Sequence, residues 1–494
     1  MKYCSTRSSA SSVSSAQAII QGLSLEGGLF VPESFPSVSL ETIGKMVSMD
    51  YAARAKEILS LYLTDYTDEE LSDCVRDAYT EGRFAGEPAP LKKVGENYVL
   101  ELWHGPTHAF KDMALQMLPH LMTRAMKKVG VKEQVFILVA TSGDTGKAAL
   151  EGFCDVPGTN VGVFFPVDGV SPAQKLQMMT QEGQNTCVCS VYGNFDDAQT
   201  GVKTIFNDTE FAKELKDKGY VLSSANSINW GRLVPQVAYY FSAYCDLIRQ
   251  GALNLGEPAD FCVPTGNFGN ILAAYYAKRM GLPVGKLICA SNQNNVLFDF
   301  ICGGTYNANR TFYKTASPSM DILVSSNLER LLYELCGKNP ETISKWMQAL
   351  KSGGQYAVDE KTLEALHESF SAAWTDDKTA FEAIKNVQEK ENYLLDPHTS
   401  VAWVAAEDYR KAGGKNPMVV VSTASPYKFS RSVLTALTGD PHEDLDEFAC
   451  ADKLEKLSSL KMPETLRELK QKPLRHKDVV NPDQMLEEVR GWAK

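Results

Sequence analysis

Short apolar segments that alternate with helical stretches are the feature that most constrains the fold of this 494-residue chain. Between about residues 95 and 430, six such segments end in polar, Gly-bearing loops, at 135–140, 161–165, 187–192, 261–263, 287–290 and 418–421. Short strands that alternate with helices indicate a parallel α/β sheet covered on both faces. Because such sheets bind ligands at the carboxyl ends of their strands, the loops after these segments are the expected binding region.

The charge balance argues against nucleic acid and membranes as partners. The chain carries 50 Lys and Arg against 61 Asp and Glu, a formal net charge of −11, and has no long basic run. No stretch of about 18 apolar residues occurs, which excludes a transmembrane helix. The 11 cysteines are scattered without a CxxC pair, which is typical of a reducing compartment and predicts neither a disulfide framework nor a metal site. We therefore expect a cytoplasmic protein.

Helical periodicity predicts further modules around the core. Capping residues Asp50 and Thr67 each precede an apolar pattern with a spacing near 3.6 residues. The predicted organisation is a mainly helical N-terminal domain (1–95), a two-lobed core (96–430) with a smaller lobe at about 130–230 and a helical insertion at about 325–392, and a solvated helical C-terminal layer (431–494).

Two loops have the composition of an anion site. The segment 261–263 is followed by Gly266, Asn267, Phe268, Gly269 and Asn270, and then by a helical run. Free N–H groups and the positive end of the helix dipole would face a ligand there, and glycine permits a close approach. Phosphate is the natural ligand of such a loop, and an ordinary strand-to-helix turn is the alternative.

The second loop, Thr141 to Gly146, follows the segment 135–140 and precedes Lys147. It is not a P-loop, because Thr141 stands where that motif requires Gly and Ala148 where it requires Ser or Thr. The hydroxyl groups and glycines suit a carboxylate or a phosphate, and helix capping by Ser142 or Thr145 is the alternative.

Lys111 is the candidate nucleophile of the chain. It stands between Phe110 and an apolar helical run, where a half-apolar pocket would lower the pKa of its amine. A surface lysine is the alternative for this residue taken alone. His104 and His108 are not a predicted zinc pair, because Gly105-Pro106 breaks the helix that would align them.

Two further polar segments complete the set of candidate loops. Residues 223–232 gather hydroxyls, amides and Arg232, whose guanidinium suits a phosphate. Residues 422–426 follow a buried strand with hydroxyls that could hydrogen-bond a ring nitrogen. Capping or turn chemistry is the alternative for both segments.

Together these motifs resemble the threonine synthase family, of the longer kind found in fungi and many bacteria. The resemblance rests on Phe110-Lys111-Asp112, on Thr-Ser-Gly-Asp-Thr-Gly at 141–146, on Asn-Ser-Ile-Asn at 226–229 with Arg232, on Gly-Asn-Phe-Gly-Asn at 266–270 and on Ser-Thr-Ala-Ser-Pro at 422–426. It begins at Tyr3-Cys4-Ser5-Thr6-Arg7 and covers nearly the whole chain, so we expect no transit peptide.

The resemblance implies a pyridoxal-phosphate enzyme of fold type II, with the cofactor between two parallel-sheet lobes. The implied activity is that of a carbon–oxygen lyase acting on phosphate. It converts O-phosphohomoserine and water to threonine and phosphate, the last step of threonine biosynthesis. A monomer or a homodimer is the expected form.

The resemblance also assigns roles to individual residues. Lys111 is the implied Schiff-base lysine, and Thr423 the implied neutral partner of the pyridine nitrogen. The implied cradle of the cofactor phosphate consists of Gly266, Asn267, Phe268, Gly269 and Asn270. The residues implied to hold the phosphate and carboxylate of the substrate are Thr141, Ser142, Asp144, Thr145, Asn226, Ser227, Asn229 and Arg232.

Two alternatives remain open at this stage. A threonine or serine dehydratase of the same cofactor fold would need no site for a substrate phosphate, so residues 226–232 discriminate against it. A non-enzymatic relative that binds phosphorylated ligands would not need Lys111. Because the chain is acidic overall, the positive field for two phosphates must be local, from helix N-termini, Arg232 and Lys147. Tyr427 is bulkier than is usual in the family, so the pocket edge near Thr423 is expected to differ.

Overall fold

The computed structural model describes residues 1–79, 82–141, 143–168 and 170–493. Its strands are β1 (Tyr3–Ser5), β2 (Ser8–Val13), β3 (Phe30–Pro32), β4 (Leu91–Val94), β5 (Asn97–Glu101), β6 (Gln134–Ala140), β7 (Thr159–Pro166), β8 (Thr186–Val191), β9 (Tyr220–Ser223), β10 (Ala259–Pro264), β11 (Val284–Ser291), β12 (Thr305–Asn307), β13 (Gln355–Ala357), β14 (Phe370–Trp374), β15 (Met418–Ser422) and β16 (Val479–Val480).

The helices alternate with these strands through the core and flank it at both ends. They are α1 (Ser15–Gln21), α2 (Leu40–Met46), α3 (Tyr51–Tyr62), α4 (Asp68–Tyr79), α5 (Asp112–Leu115), α6 (Leu118–Val129), α7 (Asp144–Phe153), α8 (Pro172–Met179), α9 (Phe195–Asn207), α10 (Thr209–Asp217), α11 (Trp230–Arg249), α12 (Gly269–Arg279), α13 (Val296–Gly303), α14 (Leu328–Leu335), α15 (Pro340–Gly353), α16 (Glu360–Ser369), α17 (Asp377–Glu391), α18 (Pro397–Lys411), α19 (Ser430–Thr438), α20 (Glu447–Leu457), α21 (Glu464–Arg467) and α22 (Met485–Trp492). Single 3-10 turns lie at Pro318–Met320, Pro426–Phe429, Glu468–Gln471 and Pro482–Gln484.

Two largely parallel sheets form the core. One sheet has the strand order β14-β11-β10-β15-β5-β4, and the other has the order β16-β8-β7-β6-β9. Only β4, at an edge of the first sheet, runs antiparallel to its described neighbour. All six apolar segments of the sequence analysis are strands of these sheets. The predicted fold class, with two parallel-sheet α/β lobes, is therefore confirmed.

The N-terminal region contains a small sheet that the sequence analysis missed. Helices α3 and α4 lie where the capping patterns predicted them, and the Asp50 side chain accepts a hydrogen bond from Ala53 N at 2.8 Å. The antiparallel strands β2, β1 and β3 precede these helices. Strand β2 is rich in Ser and lacks apolar alternation, so its sequence gave no strand signal.

The segment predicted as a helical insertion also contains strands. Helices α14 to α17 lie there, together with β13 and β14. Strand β14 pairs in parallel with β11 and forms an edge of the six-stranded sheet. Its Phe-Ser-Ala-Ala-Trp sequence gives no clear period, because only the first residue is buried.

The C-terminal segment packs against the five-stranded sheet, whereas the sequence analysis predicted a solvated layer. Strand β16 pairs with β8, and Trp492 stacks on Phe164 with ring centroids 4.9 Å apart. Gly162 makes room for this indole, because a Cβ at that position would lie 2.6 Å from it. The charge-rich pattern of this segment describes its outer face, and a few apolar residues determine where it packs.

No helix in the described residues is long and apolar enough to cross a membrane.

Candidate active site

Lys111 follows strand β5, immediately before α5, in a loop that is paired with the loop after β15. Phe110 N donates to Thr423 O at 2.8 Å, and Ser425 N donates to His108 O at 3.0 Å. These two bonds form a short antiparallel bridge between the loops. Two of the predicted functional residues, Lys111 and Thr423, are therefore brought together at adjacent strand ends.

The amine of Lys111 lies in a nearly closed, partly apolar pocket. The exposed fraction of its side chain is 12%, and Nζ lies 5.0 Å from the centroid of the Phe110 ring. Nζ donates to Ser319 Oγ at 3.4 Å and lies 3.6 Å from Asp144 Oδ2. Burial lowers the pKa of Lys111; Asp144 opposes this shift, and nearby cations add to it. This is the environment that the sequence analysis predicted for a nucleophilic lysine.

Asp144 is the buried counterion of this amine. Its Oδ1 lies 2.6 Å from Lys428 Nζ and accepts a hydrogen bond from Gln174 Nε2 at 2.9 Å. Although burial by itself raises the pKa of Asp144, Lys428 and Lys111 outweigh burial and hold that pKa well below its usual range. Asp144 is therefore ionised at neutral pH.

Lys428 is a residue of the site that the sequence analysis missed. It lies in the 3-10 turn Pro426–Phe429, directly after the predicted hydroxyl segment, and the exposed fraction of its side chain is 1%. A buried lysine between aromatic residues close to the predicted loop was the available signal, but its partner Asp144 lies on a distant helix.

The loop Gly266–Asn270 connects β10 to α12 and packs closely against a neighbouring segment at one of its two glycines. Phe268 has a φ of 64° and is almost completely buried. A Cβ at Gly266 would lie 2.6 Å from the backbone oxygen of Ser319, whereas a Cβ at Gly269 would meet only ordinary contacts, the nearest at 3.5 Å. The chain therefore passes closest to its neighbours at Gly266.

Polar groups at the start of α12 are available for a ligand. The first backbone hydrogen bond within this helix is donated by Leu272 N to Phe268 O at 3.0 Å, so the N–H groups of the residues before Leu272 have no partner inside the helix. Asn270 Oδ1 accepts from the hydroxyls of Tyr239 and Tyr240, at 2.5 and 2.6 Å. Its Nδ2 is buried and has no hydrogen-bond partner among the described residues.

Serines at 319–326 connect the glycine loop to its surroundings. Ser325 Oγ donates to Gly266 O at 2.7 Å. Ser326 Oγ lies 3.3 Å from Asn267 Oδ1 and 3.4 Å from Ser227 Oγ. This segment therefore brings the 266–270 loop next to Ser227, one of the predicted substrate contacts.

The 141–146 loop uses one of its own hydroxyls internally. Thr141 Oγ1 accepts from Gly143 N and Gly146 N, each at 3.0 Å. Thr145 is half-buried, and its hydroxyl makes no hydrogen bond to a residue in the described part of the chain. Ser142 lies outside the described residues. Lys147 Nζ pairs with Glu151 at 2.7 Å, so its charge is already partly balanced.

Residues 226–232 divide into structural and available groups. Asn229 caps α11: its Oδ1 accepts from Gly231 N at 2.8 Å, and its Nδ2 donates to Ile19 O at 2.9 Å. The side chain of Asn226 is half-buried and makes no hydrogen bond to a described residue. Arg232 is buried, and in the part of the chain that the structure describes its Nε has no hydrogen-bond partner. Burial lowers the pKa of Arg232 to about 10.

The loop after β15 also contains one hydroxyl that is hydrogen-bonded within the protein and one that is available for a ligand. Ser422 Oγ accepts from Trp103 Nε1 at 3.0 Å, whereas the buried Thr423 hydroxyl makes no hydrogen bond to a described residue. The Tyr427 hydroxyl donates to Leu460 O at 2.5 Å, and its ring belongs to an apolar cluster below the sheet. Its bulk is thus accommodated by the C-terminal segment.

Three family models together match most of the chain. They are described as "Threonine synthase N terminus" over residues 2–79, "Pyridoxal-phosphate dependent enzyme" over residues 83–425 and "Threonine synthase, C-terminal" over residues 399–490. The match over the second range contains all the candidate site residues discussed above except Lys428.

Individual relatives carry related names. Human threonine synthase-like 1 is 42% identical over 433 residues, which cover 85% of this chain and only 58% of that protein. The threonine synthase of Pseudomonas aeruginosa is 39% identical over 445 residues, which cover 89% of this chain and 91% of that protein. The crystal structure of PLP-bound threonine synthase from Brucella melitensis superposes with a TM-score of 0.88 at 37% identity and covers 100% of both chains.

Proposed function

The chain belongs to the threonine synthase family of pyridoxal-phosphate-dependent enzymes, and we propose that it converts O-phospho-L-homoserine and water to L-threonine and phosphate. The observation that carries this proposal is the arrangement around Lys111. A buried amine that follows β5 of one sheet lies against a carboxylate that follows β6 of the other, and Ser319 contacts both this amine and the glycine loop at the start of α12.

The residues at the site fit pyridoxal phosphate. Helix α12 begins with free N–H groups and has no acidic residue in its first turn, which suits a phosphate. The unpartnered Nδ2 of Asn270 is a further donor there. Gly266 leaves space that any side chain would fill. The free hydroxyl of Thr423 is a neutral group able to meet a ring nitrogen.

We assign these residues to the cofactor in the following way. Lys111 would hold it covalently through Nζ, the loop Gly266–Asn270 would hold its phosphate, and Thr423 would be the partner of its ring nitrogen. When bound, the cofactor supplies an electron sink that stabilises negative charge at the substrate Cα. The protein contributes the groups that hold the reactants and move protons.

Lys111 is the proposed general base at Cα. With the cofactor and substrate bound, the free amine of Lys111 would accept the Cα proton, and a lowered pKa favours the neutral amine that this transfer requires. Asp144 lies close enough to stabilise the ammonium that results. The pocket around Nζ is thus suited to both protonation states of the lysine.

The substrate phosphate and carboxylate are assigned to the available groups of Asn226, Ser227, Arg232 and Thr145. Arg232 provides the positive charge, and its unpartnered Nε is a donor able to bind an anion. Asn226, Ser227 and Thr145 add neutral donors. We assign Asn229 and Thr141 an indirect role, since their polar atoms already hold the helix start and the loop in place.

Product analysis tests the proposed reaction. Purified protein loaded with pyridoxal phosphate is incubated with O-phosphohomoserine, and phosphate, threonine and 2-oxobutyrate are quantified together. We expect threonine and phosphate in equal amounts. Phosphate with 2-oxobutyrate and without threonine would indicate elimination without addition of water, and no phosphate release would favour the non-enzymatic alternative.

Two variants connect this assay to the site. Lys111→Ala should abolish threonine formation together with the absorbance of the bound cofactor. Arg232→Met should retain that absorbance and raise the KM for O-phosphohomoserine roughly 100-fold, because a hydrogen-bonded charge pair contributes about 2–3 kcal/mol. An unchanged KM would contradict the assignment of Arg232 to the substrate.

A further inference from the structure

Lys428 is a second buried lysine of the site, and the proposed reaction gives it no role. Its Nζ lies 2.6 Å from Asp144 Oδ1 and donates to Thr107 O at 2.8 Å. Removing an ammonium from water costs several kcal/mol unless acceptors replace the water. These two acceptors, one of them charged, are what allow Lys428 to be buried at this point.

The hydrogen bonds of Asp144 fix which way its carboxylate points. Lys428 and Gln174 both occupy Oδ1, which leaves Oδ2 directed toward Lys111. Gln174 is held in turn, because its Oε1 accepts from Ser171 N at 3.3 Å. A Cβ at Gly143 would lie 2.6 Å from the Gln174 side chain, so the adjoining loop fits closely around this amide.

This contact joins the two sheets of the core. Asp144 begins α7, which follows β6 of the five-stranded sheet. Lys428 and Lys111 follow β15 and β5 of the six-stranded sheet. A carboxylate from one sheet is therefore shared by two amines from the other.

We propose that Lys428 is a positioning residue of the active site, which holds the Asp144 carboxylate beside the Lys111 amine and shares its charge. The proposal rests on the attachment of the cofactor to Lys111, as proposed above. It gives Asp144 the role of a counterion, whose two oxygens are already directed at cations and at an amide donor.

The charges around Lys111 determine what this arrangement does. Asp144 faces its amine from α7, Lys428 from the 3-10 turn and Arg232 from α11. Asp112 lies on α5 and accepts instead from Thr107 N and Oγ1, at 2.8 and 2.7 Å. Asp144 therefore favours protonation of the Lys111 nitrogen, and Lys428 opposes it.

A charge-removal cycle in the holoenzyme tests the proposal. The absorbance of the bound cofactor is titrated from about pH 5 to about pH 10 in the unsubstituted protein, Lys428→Met, Asp144→Asn and the double variant. The transition reports the protonation of the Lys111 nitrogen in its linkage to the cofactor. We expect its midpoint to rise by about 1–2 pH units in Lys428→Met and to fall by a similar amount in Asp144→Asn. In the double variant the two shifts should largely cancel.

Matched controls separate charge from packing. Lys428→Arg should keep the midpoint close to that of the unsubstituted protein. Lys175→Met removes the lysine next to Gln174 in the sequence, whose Nζ makes one hydrogen bond within the described residues, to Val167 O at 3.5 Å, and it should leave the midpoint unchanged. Circular dichroism and thermal melting identify a variant that fails to fold. If Lys428→Met is such a variant, Asp144→Asn alone decides, and a midpoint that does not fall overturns the proposal.

Curves that coincide in all proteins, including curves that are flat over this range, would overturn the proposal, as would shifts of the same sign in both single variants. The outcome is independent of the overall reaction. Opposite shifts in a protein that forms no threonine would support the role of Lys428 and contradict only the proposed reaction.

Discussion

The loops that follow β6 and β10 are both built from glycines and small polar residues, but their backbone N–H groups differ in whether the protein already occupies them. Each connects a buried strand to a helix through glycines and small polar residues. In the first loop, Thr141 Oγ1 occupies two backbone N–H groups, and Asp144 places a negative charge in the first turn of α7. In the second loop, the first turn of α12 has no acidic residue.

The difference shows what makes a helix N-terminus an anion site. The backbone donors and the dipole are present in both helices. In α7 they lie beside an ionised carboxylate that the protein supplies itself, and that carboxylate is directed at lysines. In α12 they remain available, so the phosphate of a cofactor is best placed there. The two loops share glycines and small polar residues, and the one acidic residue of the first loop, Asp144, is what distinguishes them.

The largest expected effect comes from closing the space in the second loop. Gly266→Ala should weaken binding of pyridoxal phosphate roughly 100- to 1,000-fold, because the new Cβ would meet a backbone oxygen at 2.6 Å. Equilibrium dialysis of the cofactor measures this. Gly269→Ala is the matched control, since its Cβ would meet nothing closer than 3.5 Å. If both variants bound pyridoxal phosphate with equal affinity, the assignment of the cofactor phosphate to this loop would be contradicted.

Asp112 provides a third case of a helix start for the comparison, because it is the acidic residue in the first turn of α5. Burial raises its pKa to about 6, from a value near 4 in the unfolded chain. A raised pKa stabilises the fold below about pH 4, and this contribution is lost as the pH rises through 6. Relative to Asp112→Asn, the unsubstituted protein should therefore lose about 2–3 kcal/mol of unfolding free energy between pH 4 and pH 7.

Denaturant unfolding of both proteins across this pH range measures that difference. His108 is buried nearby, and its pKa is lowered to about 3, so its own contribution changes in the opposite direction. It is present in both proteins and cancels in the difference. A difference that does not depend on pH would show that Asp112 remains ionised in the fold throughout the range.

The smallest expected effect concerns the internal bonds of the first loop. Thr141→Val leaves two buried N–H groups without their acceptor and should lower the unfolding free energy by about 1–2 kcal/mol. Thr145→Val, which removes a hydroxyl with no described partner, should change stability by less than about 0.5 kcal/mol. Denaturant unfolding at neutral pH compares them. A greater loss in Thr145→Val would reverse the roles given to the two hydroxyls.

The core of the fold could be predicted because its signals are local. Each of the six apolar segments carries its own strand pattern, and the carboxyl-end rule then places the 141–146 loop, the 266–270 loop and Thr423 at strand ends. Strand β5, which precedes Lys111, is not one of these segments, so the position of Lys111 beside Thr423 follows only from the structure. Strand β14 was missed because it is an edge strand with one buried residue. The stacking of Trp492 on Phe164 was missed because it joins residues far apart in the sequence.

The electrostatics of the site could not be predicted for the same reason. Asp144 and Lys428 lie on different sheets, so their ion pair depends on how the two sheets pack. The sequence resemblance implied that Asp144 helps to hold the anionic groups of the substrate. In the structure two lysines surround its carboxylate, which favours the role of a counterion. Likewise, the resemblance implied that Asn229 contacts the substrate, whereas its side chain makes three hydrogen bonds within the protein.

The most direct test of this account is to locate the cofactor on the chain. The holoenzyme is reduced with borohydride, which makes the link between pyridoxal phosphate and its lysine permanent, and the digested peptides are analysed by mass spectrometry. Two buried lysines contact the same carboxylate, so the result discriminates between them. We expect the reduced cofactor on Lys111. Modification of Lys428, or of any other lysine in place of Lys111, would contradict it.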